Sequence, residues 1–215
     1  MASEPSVSDP AEPSSPPGRR DAIRNYHRVL NAAREVLGES GADASMEEIA
    51  ARAGVGVGTV YRRFANKDAL IDELVRLSLG QALAEARQAL ARPGGDGLEQ
   101  FLRGLGALFA AHAKYAHLLL ERSVDGPVAR EIRAAVQELT SRALAAGTLN
   151  PSVTVGDVMA LVWGMRGLAE TTSEVAPGTW QRFLDIHLAG LRAPGPLSAT
   201  PSMSARQLAE LLPRP

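Results

Sequence analysis

Between Arg19 and Arg192 the chain carries only four prolines, Pro93, Pro127, Pro151 and Pro177, spaced about 25–35 residues apart. Proline removes a backbone donor and clashes with the preceding turn, so it breaks helix interiors but is tolerated in a first turn. These four therefore read as punctuation between long helices. Between them apolar residues recur at helical spacing, and no stretch keeps the period-two alternation of a strand. The pattern predicts an all-α fold of about nine helices near 20–38, 45–52, 56–64, 68–91, 97–112, 115–122, 127–147, 153–173 and 178–192. The first carries Ile23, Tyr26, Leu30, Ala33 and Leu37 on one stripe. No sequence repeat of 20–50 residues accompanies the even spacing of the prolines.

The ends differ from this middle. Residues 1–18 hold three acids, no base and five prolines, a composition that predicts a disordered acidic leader. Five more prolines follow Arg192 and predict a loose tail over 193–215. Residues 19–67 carry a net +3 against −1 for 68–215, so a nearly neutral protein of 215 residues has one basic segment. That arrangement suits an anionic polymer partner, although a solvated helix face gives the same count. Absence of cysteine excludes disulfides, thiolate nucleophiles and Cys-based metal sites. No apolar run is long enough for a membrane helix and no secretory signal core opens the chain, so the expected compartment is the cytoplasm, with no membrane partner.

Residues 45–70 read SMEEIAARAGVGVGTVYRRFANKDAL. Ser45 and Glu48 fit the capping box S-x-x-E, which satisfies two orphan backbone donors at a helix start. Gly54 permits a tight exit, and a second short helix over 56–64 completes a helix-turn-helix. Small residues Ala50 and Ala53, with Ile49, keep the first helix thin enough for a close crossing. Val55 and Val60 fill the small shared core. The second helix then presents Thr59, Arg62 and Arg63 outward, and Gly58 lets a duplex approach closely. Phe64 packs inward while Tyr61 reaches a phosphate through its hydroxyl. Lys67 and Ser45 sit at helix starts, where exposed N–H groups also favour an anion.

At these residues the segment 20–70 resembles the DNA-binding domain of TetR-type transcriptional regulators. Ile49, Ala50, Ala53, Gly54, Val55, Gly58, Thr59, Val60, Tyr61, Phe64, Lys67 and Leu70 occupy matching places. Gly56 stands where a Ser or Thr cap is usual, Val57 replaces a frequent base, and Arg63 replaces a common His. The resemblance implies a DNA-binding domain over 19–80 and a helical effector-binding and dimerisation domain over 81–192. It further implies a homodimer through the helices 153–173 and 178–192, binding a palindromic double-stranded operator. An unidentified small-molecule effector would occupy a cavity within 71–175, with His112 and Arg166 as candidate polar anchors, and repression is the commonest mode.

Other readings compete. Gly54-x-Gly56-x-Gly58 follows a helix rather than a strand and lacks the spacing of a phosphate loop. His27, His112, His117 and His187 form no E-x-x-H pattern, so no metal or cofactor site is expected. His112 and His117 suit solvated or singly bonded side chains as well as ligand contacts. Arg166 suits a surface ion pair as well as a cavity anchor. Gly164 and Gly167 point to close helix packing, and the stripe Trp180, Phe183, Leu184, His187, Leu188, Leu191 fits core or interface equally. A helical carrier whose helix-turn-helix serves only packing would show no salt-dependent binding to duplex DNA. A helical enzyme lacks any paired carboxylate, Ser–His or metal constellation, so no enzymatic activity is expected.

Overall fold

A computed structural model describes residues 17–115 and 126–211. Nearly all of the expected leader, the expected helix near 115–122 beyond Tyr115, and His117 lie outside them. Among the described residues the architecture is all-α. The helices are α1 (Pro17–Ser40), α2 (Met46–Ala53), α3 (Val57–Arg63), α4 (Lys67–Leu90) and α5 (Gly97–His112), followed by α6 (Pro127–Ala145), α7 (Val155–Thr172), α8 (Thr179–Arg192) and α9 (Ala205–Leu211). Two single-turn 3₁₀ segments, Gly41–Asp43 and Ala113–Tyr115, link them.

Helix ends follow side-chain chemistry. Ser45 and Glu48 form the reciprocal capping box of α2, and Gly54 closes that helix in the left-handed region at φ 62°. Thr154 and Asp157 build a second box at α7, and Asn66 caps α4 by accepting from the Ala69 N–H. Pro127 sits in the first turn of α6. The tail contains a helix where a loose segment was expected. Ser204 and Gln207 cap it reciprocally, the Ser204 N–H donating to Gln207 Oε1 (2.9 Å) and the Gln207 N–H to Ser204 Oγ (3.2 Å).

Two apolar cores form, and α4 belongs to both. Leu30, Ala33 and Leu37 of α1 pack with Ile49 and Ala50 of α2, Val60 of α3 and Phe64, and with Leu70, Ile71, Leu74 and Val75 of α4. Past Leu79 the same helix turns Ala82, Ala86 and Ala89 into a larger core with Phe101, Leu102, Leu139, Val158, Met165 and Leu184. Ile23, expected on the inward stripe of α1, is instead 52% exposed, because the first turns of α1 project past the core onto the rim of a cleft. The α8 stripe divides. Trp180, Leu184 and Leu188 are buried, whereas Phe183 and Leu191 are half-buried and His187 is exposed. Gly164 gives room to the Phe183 ring, while a side chain at Gly167 would meet open space.

Candidate nucleic-acid interface

The head consists of α2 and α3 crossing closely, with α1 and α4 behind them. Small α2 residues make the crossing possible, and Val60, fully buried, anchors α3. Gly56 opens α3 with no side-chain cap, so its first turn is held by the backbone bond from the Thr59 N–H to the Gly56 carbonyl (2.8 Å). Beyond that core α3 faces solvent. Val57, Gly58, Tyr61, Arg62 and Arg63 are exposed and Thr59 is half-buried, while a side chain at Gly58 would contact nothing. An α-helix with one bare, polar face of this kind has the width and chemistry to enter a major groove.

Each expected contact residue also has a place within the fold. Arg62 Nη2 donates to Thr59 Oγ1 (3.0 Å), which pre-positions both on one turn. Tyr61, 45% exposed, directs its hydroxyl to Glu47 Oε1 at 3.4 Å. Lys67 Nζ donates to the Ala44 carbonyl (3.1 Å), tying the start of α4 to the loop before α2. The Ser45 hydroxyl serves the capping box, and the Ser45 N–H holds the Glu48 carboxyl below its usual range. Arg63, expected to point outward, folds back over α1, with its guanidinium 5.0 Å from the centre of the Tyr26 ring.

Sequence reasoning missed the cluster behind α3. The Tyr26 hydroxyl donates to Glu73, Arg76 grips the same carboxylate through Nε (2.6 Å) and Nη2 (2.8 Å), and the Tyr26 ring stacks on Phe64. Arg76 is the first cause, with the Tyr26 bond assisting, that holds the Glu73 carboxyl down at about 2 despite burial. A cleft of about 810 Å³ runs beside it, lined by Ile23, Tyr26, Thr59, Arg62 and Arg63. A second clamp joins α1 to α2, where Arg52 bonds Glu35 (3.1 Å) and Glu39 (2.7 Å). The Glu73–Arg76 pair has i,i+3 spacing within α4, whereas joining Tyr26 to Glu73 and Arg52 to Glu35 and Glu39 needed the crossing geometry.

His112 and Arg166, the two residues expected in an effector site, each have a partner within the fold. His112 ends α5 with Nδ1 3.2 Å from Ser78 Oγ of α4, and burial pushes its pKa down to about 4, with Arg34 adding to the effect. Beside it the 113–115 turn inserts Tyr115 into the head core, so α1 packs on the turn that follows α5. Arg166, half-buried on α7, pairs with Glu170 at 3.5 Å, and the two atoms of that pair lack hydrogen-bond partners. Among the described residues no group of three or more acidic or histidine side chains could hold a metal ion. None of their helices is long and apolar enough to cross a membrane.

Known proteins share this arrangement. Residues 29–74 match the family described as bacterial regulatory proteins of the tetR family. Residues 92–193 match the C-terminal domain described as transcriptional regulator SbtR-like. A TetR transcriptional regulator from Streptomyces coelicolor is 30% identical, superposes with a TM-score of 0.58, and is matched over 79% of this chain and 99% of its own. The chain belongs to the TetR family. A TetR regulatory protein from Mycobacterium vanbaalenii is 31% identical, with a TM-score of 0.58 and 82% and 100% of the two chains covered. The regulator UidR of Escherichia coli K12 is 39% identical over 64 residues, 29% of this chain. That match spans a third of UidR's own length. This TetR-family transcriptional regulator therefore carries a DNA-binding helix-turn-helix in α2 and α3, followed by the helical C-terminal domain of its family.

Proposed function

We propose that the protein is a ligand-responsive homodimeric repressor that reads a palindromic operator with α3. The observation that carries the reading is the outward face of α3, where Gly58, Tyr61 and Arg62 are exposed and Thr59 is half-buried beside them. In this reading Thr59 and Arg62 reach base edges or backbone, Tyr61, Lys67 and Ser45 hold phosphates, and Arg63 swings from Tyr26 onto the duplex. The domains run 19–80 and 81–192, and α4 carries motion between them because its two halves lie in different cores. A ligand acts only as far as it binds two states differently, which in regulators of this size amounts to about 1–3 kcal/mol of coupling. Arg166 and His112 remain the candidate anchors within 71–175.

Dimerisation follows from the outer edge of α7 and α8. Ala160, Gly164, Gly167 and Thr171 form an exposed small-residue line on α7. Next to it Ile186 is 56% exposed, and a cleft of about 430 Å³ runs between Phe183, His187 and Leu161. Two copies of that face related by a two-fold axis would bury apolar surface and set two α3 helices on one side. As a soluble regulator of DNA, the protein would act in the cytoplasm and without catalysis.

Selection from a random duplex pool tests the whole reading. It is expected to return a palindrome, bound by a dimer with steep salt dependence. Alanine at Thr59, Tyr61, Arg62 and Lys67 together is expected to abolish that binding while circular dichroism and sedimentation stay unchanged. Retained affinity in the quadruple variant would remove α3 as the reading element.

A further inference from the structure

The cleft of about 810 Å³ behind α3 lies between α1, α3 and α4, with Ile23, Tyr26 and Val29 on one side and Thr59, Arg62 and Arg63 on the other. Its two carboxylates are already held, Asp21 by Arg24, and Glu73 by Arg76 and the Tyr26 hydroxyl. The two arginines of α3 meet neutral groups instead. Arg62 bonds the Thr59 hydroxyl (3.0 Å), and Arg63 lies over the Tyr26 ring (5.0 Å) and acts on Glu73 only through its charge. Surplus positive charge thus stands beside the apolar side chains of Ile23, Val29 and Phe64.

The start of the chain is joined to the rim of this cleft. The helix α1 begins at Pro17, one turn before Asp21, the first residue lining it. Residues 1–16, outside the described residues, hold Glu4, Asp9, Glu12 and four prolines, with no base. Tyr26 lies nine residues into α1 from Pro17, about 14 Å along the axis at ~1.5 Å per residue. An extended chain covers ~3.3 Å per residue, so from Pro17 Glu12 reaches about 17 Å and Asp9 about 26 Å. Both acids therefore reach Arg62 and Arg63 once the leader turns back along α1. Prolines keep such a segment extended at low entropic cost and suit a groove with an aromatic wall.

We propose that the acidic leader of this chain docks in the cleft, with Asp9 and Glu12 on Arg62 and Arg63 and its prolines against Ile23 and Tyr26. Guanidinium groups take carboxylates by charge-assisted, often paired hydrogen bonds. The tether supplies an effective concentration on the order of millimolar, so weak contacts suffice. The docked leader keeps Arg63 over Tyr26 and covers Thr59 and Arg62, and so competes with a duplex for the face of α3. The competition rests on the reading of α3 as the operator-reading helix, whereas the docking does not.

The chain has no cysteine, so Ser8→Cys gives a single site for a nitroxide on the full chain. The label is expected to broaden the methyl resonances of Thr59 and Val29. Glu4→Gln, Asp9→Asn and Glu12→Gln together are expected to relieve most of that broadening, as is Arg62→Gln with Arg63→Gln. The neutralised leader keeps its length and tether, so the difference reads docking rather than mere proximity. Equal broadening at Thr59 in the charged and neutralised chains overturns the proposal, as does the absence of broadening there. Operator duplex in excess is expected to abolish the charge-dependent part, and the neutralised chain to bind the operator at least about threefold more tightly at low salt. A leader that stays at Thr59 under saturating duplex overturns the competition. Charge-dependent broadening together with retained operator affinity in the quadruple alanine variant upholds the docking and removes only the reading role of α3.

Discussion

The Arg63 guanidinium stacks 5.0 Å above the Tyr26 ring, whose hydroxyl is bonded to Glu73. A residue of α3 is thereby parked against α1 and linked through one aromatic ring to α4. The helices α1, α3 and α4 are joined at this point by groups that the core alone would not align.

Tyr26→Phe keeps the ring, its stack on Phe64 and the cation–π contact, and is expected to cost about 1.5 kcal/mol for the lost bond to a charged partner. Tyr26→Ala removes all three and is expected to cost about 2–3 kcal/mol, measured by urea unfolding. The Glu73 carboxyl is held down at about 2, chiefly by Arg76. Its unfolded value is near 4.3, so the network's contribution is complete above that pH and disappears as pH falls towards 2. Glu73→Gln is expected to flatten the acid limb of the stability curve over that window.

Ser45 and Lys67 separate capping from phosphate contact. Ser45→Ala breaks a capping box seen in both directions and is expected to lower stability by about 1 kcal/mol. If Ser45 also holds a phosphate, operator affinity falls as well while the salt slope stays, because a neutral hydroxyl displaces no counterion. Lys67→Ala is expected to weaken binding on all duplexes alike and to flatten the salt slope by roughly two for a dimer, about one per contact. An unchanged slope in Lys67→Ala would take that residue out of the interface.

Much of the head was legible because its constraints are local. The capping box at Ser45, the left-handed exit at Gly54 and the burial of Val60 and Phe64 each follow from a few neighbouring residues. Helix order was legible for the same reason, as prolines and caps act within one turn. What escaped was set by crossings between distant segments: Tyr26 with Glu73, Arg52 with Glu35, Tyr115 inserted into the head. The tail helix was missed although its signal was present, since Ser204 and Gln207 have capping-box spacing amid prolines that pointed the other way.

Two glycines are expected to respond oppositely to alanine. At Gly106 an added Cβ would overlap the Trp180 ring and approach Met165 Sδ to 2.9 Å, so Gly106→Ala is expected to destabilise by about 1–3 kcal/mol through overpacking. At Gly58 nothing lies within 4 Å, so Gly58→Ala is expected to stabilise α3 by about 0.5–1 kcal/mol while weakening operator binding through lost close approach. Thermal melts and duplex titrations of both variants check the pair.

His112 links stability to pH near neutrality. Burial holds it neutral down to about 4, while the unfolded side chain protonates near 6.5. The unfolded state therefore binds the extra proton between these values, and stability is expected to decline as pH falls from 6.5 towards 4. His112→Gln, which keeps a polar partner for Ser78, is expected to remove that decline. An identical pH profile would mean that His112 is protonated in the fold.

The dimer prediction depends on a face that the monomer leaves bare. Ile186 is 56% exposed on α8, and Gly167 on α7 meets open space, so neither supports the fold of a single chain. Substitutions there should act only on association. Ile186→Asp places an unpaired charge at the centre of the proposed seam, where burying it would cost several kcal/mol per subunit. Gly167→Trp fills the gap through which the α7 helices would approach. Each variant is expected to sediment as a 22.7 kDa monomer with an unaltered circular dichroism spectrum and a melt lowered by the lost association. Losing the partner also removes the second half-site, so operator affinity is expected to fall steeply while weak, salt-dependent binding by a single head persists. A variant that stays dimeric would place the interface on another surface. A variant that turns monomeric with full operator affinity would separate α3 reading from two-fold symmetry.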